Sequence, residues 1–242
     1  SAVTTRSLPA SGGSFAASSS PYSIGINSVG TLYVGLYSSN QVVAVTAAGA
    51  KGSTWSTGGN PTAVAVDASD NVYVANSSSN TLTRVSAGGT STTNWASTGA
   101  NVWGITTDRA GNVYVPSLGN DKVAKVIPTD PSNPLLTWAS VGSQPFAIAY
   151  DGASTLYTAN RSSGTISAIT PDGTVTTFGA AGALDAHGIA IDSGGNVYTA
   201  RWGGGSGVVY KTTPAGVTSQ IATADQYQGC LLYTSPSPRD LS

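Results

Sequence analysis

Asn71-Val72-Tyr73-Val74-Ala75 is a short strand pattern that this chain uses again and again. It returns as Thr31-Leu32-Tyr33-Val34-Gly35, Asn112-Val113-Tyr114-Val115-Pro116, Thr155-Leu156-Tyr157-Thr158-Ala159 and Asn196-Val197-Tyr198-Thr199-Ala200. Successive tyrosines are 40, 41, 43 and 41 residues apart. A second marker keeps step: Phe15, Trp55, Trp95, Trp138, Phe178 and Ile221, spaced 40, 40, 43, 40 and 43. Four short apolar runs in each period of this length are the signature of a β-propeller. One small sheet cannot bury both its faces, so the units must stack around an axis.

The repeat Asn60–Ala100 shows the plan. Ala63-Val64-Ala65-Val66, small and branched, suits the crowded inner strand; Asp67-Ala68-Ser69-Asp70-Asn71 turns into the tyrosine strand. A third strand over Thr81–Ser86 and an outer one carrying Trp95 complete a four-stranded blade, with Gly, Asn and Ser at the turns. The same plan covers residues 21–59, 101–143, 144–184 and 185–224. Three prolines, Pro128, Pro131 and Pro134, mark an insertion in the third repeat as a loop. Residues 1–18 read as the outer half of a blade, and Gly229, 41 residues after Gly188, as the start of an inner half. The expected fold is therefore all-β: a single propeller domain over 1–229, most simply six-bladed, closed by strands from both termini. The competing reading places further blades upstream.

Composition narrows the function classes. Charged residues are 9% against about 25% in ordinary soluble domains, and all 11 acidic residues are Asp. The net charge of −1 with no basic stripe excludes a nucleic-acid surface of the usual kind. No apolar run reaches the length of a membrane span. Abundant Ser and Thr with few Lys fit a secreted bacterial protein, extracellular or periplasmic, and the start at Ser1 reads as a processed or fragmentary chain. Cys230-Leu231-Leu232-Tyr233-Thr234-Ser235-Pro236-Ser237-Pro238-Arg239-Asp240 matches, codon for codon, the translation of a transposase adapter used in shotgun sequencing. Residues 230–242 are therefore read as a non-native tail, and the lone Cys230 as carrying no function.

The pattern Pro-x-(Ala/Gly)-(Ile/Val)-Ala-(Ile/Val)-Asp-x-x-Gly-Asn-Val-Tyr-Val-Ala-Asn resembles the NHL-repeat and virginiamycin B lyase-like propellers. Asp185-Ala186-His187-Gly188-Ile189-Ala190-Ile191-Asp192-Ser193-Gly194-Gly195-Asn196-Val197-Tyr198 matches it best. The resemblance spans about residues 20–229 and implies the fold; enzymes, sensors and scaffolds all share it. In streptogramin-cleaving lyases it implies a His and a Glu acting around magnesium. His187 stands in a matching His-Gly-Ile context, but the chain contains no Glu.

Asp67, Asp108, Asp151 and Asp192, with Asn27, open equivalent turns. Asx side chains bond the backbone two residues on, which accounts for them without calcium, so no metal site and no cofactor is expected. The residues that open the inner strands are Tyr22, Thr62, Trp103, Phe146, His187 and Gln228, and four of the six carry rings. Such positions surround the mouth of the channel, where the loops after the second strands bring Tyr37, Arg161, Arg201 and Trp202. Flat rings beside Arg donors suit a glycan or small amphipathic ligand, and a protein ligand is a further option. The expected ligand site is Tyr22, Tyr37, Trp103, Phe146, Arg161, His187, Arg201 and Trp202. The leading reading is a non-enzymatic binding or structural module. One alternative is a propeller lyase or hydrolase with His187 as its catalytic candidate. Another is a subunit of an extracellular homopolymer or fibre, self-associating through residues 1–18.

Overall fold

The structure is a computed structural model and describes residues 20–180, 185–201 and 206–225. They form five four-stranded antiparallel sheets, each a meander in strict chain order. The first holds β1 Pro21–Ile26, β2 Leu32–Leu36, β3 Gln41–Val45 and β4 Lys51–Ser56. The second holds β5 Pro61–Val66, β6 Val72–Asn76, β7 Thr81–Val85 and β8 Ser91–Ser97. The third holds β9 Thr106–Thr107, β10 Val113–Ser117, β11 Lys122–Val126 and β12 Leu135–Ser140. The fourth holds β13 Pro145–Tyr150, β14 Leu156–Asn160, β15 Thr165–Ile169 and β16 Val175–Ala180. The fifth holds β17 Ala186–Ile191, β18 Val197–Arg201, β19 Ser206–Thr212 and β20 Thr218–Asp225. No helix among them is long and apolar enough to cross a membrane.

Turn chemistry sets each blade. The Asp67 carboxylate accepts from the Ser69 and Asn71 backbone N–H groups and from the Asn71 amide, and the Tyr73 hydroxyl donates to it at 3.1 Å. Asp108 with Tyr114 and Asp192 with Tyr198 repeat the clamp, each hydroxyl at 2.9 Å. The periodic tyrosine is thus fixed at both ends. Its hydroxyl closes the hairpin, and its ring packs on the outer-strand marker: Tyr73 on Trp95 at 5.3 Å, Tyr114 on Trp138 at 5.0 Å and Tyr157 on Phe178 at 4.9 Å between centroids.

Blades are joined by buried clusters between successive sheets. Val42 and Trp55 pack with Val64, Val72 and Val85; Tyr73 and Leu82 pack with Val102, Ile105 and Val113. Val123 and Ala139 pack with Ile148 and Leu156; Ala159 and Ile166 pack with Ile189 and Val197. Polar staples add to them. Asn40, Asn80 and Asp121 sit in the left-handed region at the start of the third strand, with φ of 53°, 53° and 57°. Their side chains accept the backbone N–H of Asn60, Asn101 and Gln144, the residues that lead into the next blade. Gly164 occupies this position in the fourth blade and has no side chain to offer. There Arg161 takes over: its carbonyl accepts the Asp185 N–H, and its guanidinium pairs with the Asp185 carboxylate.

Two expectations change. The described residues form five blades rather than six, and the segments assigned to the sixth, 1–18 and the chain from Gly229, lie outside them. The first blade is open on its far side. Ile24 and Ile26 are 38% and 61% exposed, while Ile148, Tyr150, Ile189 and Ile191 at the same positions are 8% or less. The third inner strand is also cut short, to Thr106–Thr107 with an isolated bridge between Val102 and Ser117. Pro116 is the cause. By the alternation that sends the Leu118 N–H to Asn101, residue 116 should donate toward Gly104, and proline has no N–H.

Candidate functional site

The channel-face residues are aimed by a repeated irregularity. In the first, second, fourth and fifth blades the register between inner and second strand slips at one residue: between Pro21 and Ser23, Pro61 and Ala63, Pro145 and Ala147, and Ala186 and Gly188. The residue inside each slip is Tyr22, Thr62, Phe146 and His187. A bulge turns a side chain out of the pleat, and here it recurs at the same position of each of these four blades. Trp103 holds that place in the interrupted third strand.

These rings meet. Tyr22 lies 5.6 Å from Tyr37 and 5.7 Å from Trp103, Trp103 stacks on Phe146 at 5.4 Å with 21° between planes, and Phe146 meets His187 edge-on at 4.4 Å. Thr62 makes this continuity possible. It is small and buried, with its hydroxyl donating to the Val102 carbonyl at 2.9 Å, so Tyr22 reaches over the second blade to the third. The Trp103 indole N–H donates to the Asn101 side chain at 2.8 Å, which fixes the ring. Gly104 lets the third blade come close, since a Cβ there would lie 2.9 Å from the Phe146 carbonyl oxygen.

One end of the row is charged. Arg161 Nε donates to Asp185 Oδ1 at 2.5 Å. His187 is held below its ordinary pKa, first by burial and then by the Arg161 charge, with Asp185 opposing. Burial and the Arg161 charge both favour the neutral imidazole. Arg201 closes β18 opposite Ala186, on the sheet face that Val197 and Thr199 bury. Its Nε is buried and has no acceptor among the described residues.

Seven of the eight expected site residues are therefore described. Tyr22, Tyr37, Trp103, Phe146 and His187 form one connected row, Arg161 joins it through its charge on His187, and Arg201 sits on the strand paired with that of His187. Trp202 lies outside the described residues. The expectation missed Thr62 as the spacer and Asp185 as the partner of Arg161. Thr62 carries no ring to draw notice, but the acid two residues before His187 was a usable signal. No group of three or more His, Cys, Asp or Glu side chains converges among the described residues.

No family model and no curated protein matches this sequence. Solved structures do match in shape. Virginiamycin B lyase from Staphylococcus aureus superimposes with a TM-score of 0.69 at 15% identity, over 83% of this chain and 69% of that one. A streptogramin B lyase gives 0.73 at 16% identity, over 91% of this chain and 71% of that one. The chain shares the β-propeller fold of these lyases. The same likeness extends to a chain of a nidogen/laminin complex, with a TM-score of 0.68 at 16% identity over 86% of this chain and 81% of that one. The propeller fold thus houses both lyases and a component of a protein complex, and the fold by itself selects neither role.

Proposed function

We propose that this chain is a secreted, non-enzymatic propeller that binds a ligand, most simply a glycan, on its channel face. The observation that carries this reading is the connected row of Tyr22, Trp103, Phe146 and His187, delivered from four blades by one repeated position. Rings that only filled the core would be buried. Instead Tyr22 is exposed, and Trp103 and Phe146 keep part of their surface open. Sugar rings offer an apolar C–H face to such a platform, and guanidinium donors fix orientation at its edge. In this proposal the propeller is completed by a sixth blade from residues 1–18 and the segment from Gly229, and 1–229 acts as one domain.

The test is binding to a glycan array by the whole chain and by Trp103→Ala and Trp202→Ala. We expect both variants to lose the signal of the parent. Unchanged binding would reduce the row to packing.

A lyase reading is favoured by the matching lyase structures and by His187 on the rim. It requires turnover that disappears in His187→Ala. An assembly reading draws on exposed Ile24 and Ile26, which a neighbouring molecule could cover through an exchanged N-terminal strand. It requires oligomers in solution that deletion of residues 1–18 dissolves.

A further inference from the structure

The row does not end as it begins, and the difference points to the charge of the ligand. The two residues that leave the second strand are Leu36-Tyr37, Asn76-Ser77 and Ser117-Leu118 in the first three blades, all uncharged. In the last two they are Asn160-Arg161 and Arg201-Trp202. The chain has only 10 Lys and Arg in 242 residues, and two of them stand at the second-strand ends of adjacent blades, Arg161 just after β14 and Arg201 closing β18.

Arg201 is the more telling of the two. Its slot holds Asn76 and Asn160 in the second and fourth blades, fully buried, with amides that donate to third-strand hydroxyls: Asn76 to Thr83 at 3.0 Å and Asn160 to Ser167 at 2.8 Å. In the fifth blade the third strand presents Val208 opposite Arg201 and Tyr210 opposite Thr199, where the fourth blade has Thr165 and Ser167. The arginine thus replaces an amide in a slot whose matching hydroxyls are gone, and its Nε is buried without an acceptor among the described residues. A guanidinium carries five donors in a planar fork that fits a carboxylate. Asp185 answers Arg161 through Nε alone. One carboxylate, Asp185, against two guanidiniums leaves these two strand ends with a net positive charge.

Resting on the glycan-binding reading above, we infer that the ligand is an acidic polysaccharide, its sugar rings stacked along Tyr22, Trp103 and Phe146 and a hexuronate carboxylate received between Arg161 and Arg201. A hexuronate joins both requirements in one unit: an apolar pyranose face and a carboxylate at the ring edge. The row runs across blades on an open face, which favours an extended chain over a small enclosed ligand.

Titration calorimetry of the full chain with a short oligogalacturonate, with its methyl ester and with benzoate tests this. We expect the free acid to bind and the ester to bind at least about tenfold more weakly, the loss of one charge-assisted hydrogen bond. Arg201→Gln should weaken the acid about tenfold and the ester far less, while Trp103→Ala weakens both. Arg161→Gln gives an independent readout should Arg201→Gln fail to fold, and melting curves report which case holds. Equal, Trp103-dependent binding of acid and ester would overturn the anionic assignment and leave the glycan face standing. Acid binding indifferent to Trp103→Ala would overturn both. Binding of benzoate with the same Arg201 dependence, or of no probe, would overturn the hexuronate.

Discussion

At the scale of the residue, the most consequential pair is a tyrosine and the aspartate six positions before it. The recurrence of Tyr33, Tyr73, Tyr114, Tyr157 and Tyr198 was legible in the sequence, and so was the turn role of the aspartates. The hydrogen bond that Tyr73, Tyr114 and Tyr198 make to Asp67, Asp108 and Asp192 was not, because only the hairpin register brings the phenol of one strand back over the turn that precedes it. Burial of the tyrosines has a pH signature. Burial first, and the Asp67 charge second, push the Tyr73 hydroxyl up to about 12, and Tyr114, Tyr150 and Tyr157 are raised as well, burial again leading. Unfolded tyrosines ionise near pH ~10. Between that value and the folded one, the native state holds protons that the unfolded chain releases, so stability is complete below about pH 10 and falls as pH rises toward 12. Urea unfolding across that alkaline window should show the decline. Tyr73→Phe should make it shallower, at a cost of about 1 kcal/mol at neutral pH for the lost hydrogen bond.

At the scale of the element, strand existence was legible and strand irregularity was not. Short, largely apolar runs between turn clusters mark Pro61–Val66 and Val72–Asn76 as strands. The register slip at Thr62, Phe146 and His187 leaves no mark in those runs, yet it sets these residues apart from their strand neighbours. Alignment of the repeats picked out these positions without finding the register slip that sets them apart. The shortened β9 has the same lesson. Pro116 was visible in the sequence, but its effect depends on which neighbour its missing N–H would have faced. The third blade is consequently held at that end by an isolated bridge and by close approach rather than by a continuous ladder. Gly104→Ala would put a methyl group 2.9 Å from the Phe146 carbonyl oxygen and 3.1 Å from the Pro116 ring. We expect a loss of about 1–3 kcal/mol, as for other overpacked positions, with a changed near-ultraviolet circular dichroism spectrum as Trp103 and Phe146 separate. A normal spectrum and an unchanged melting temperature would show that the backbone absorbs the methyl group freely.

At the scale of the whole molecule, the repeat specified the blade and left the number of blades open. Each period encodes a sheet and the surfaces that meet its two neighbours, and nothing in one copy counts the copies. The seam therefore has to be tested directly. If a sixth blade covers the first, Ile24→Asp buries a charge and should cost about 3 kcal/mol or more in denaturant unfolding. Val29→Asp, on a turn residue that is 70% exposed, should stay within about 0.5 kcal/mol. Equal, small effects would remove the sixth blade from the proposal. One contact described above also reaches past this question. Tyr22 touches Trp103 over the top of the second blade, so the first and third blades are linked without their own sheets meeting, and Phe146 extends the link to the fourth. An indole held among three blades is a natural optical gauge. Its emission will respond whenever those blades tilt against one another, which makes Trp103 a built-in reporter of how rigid the mouth of the propeller is.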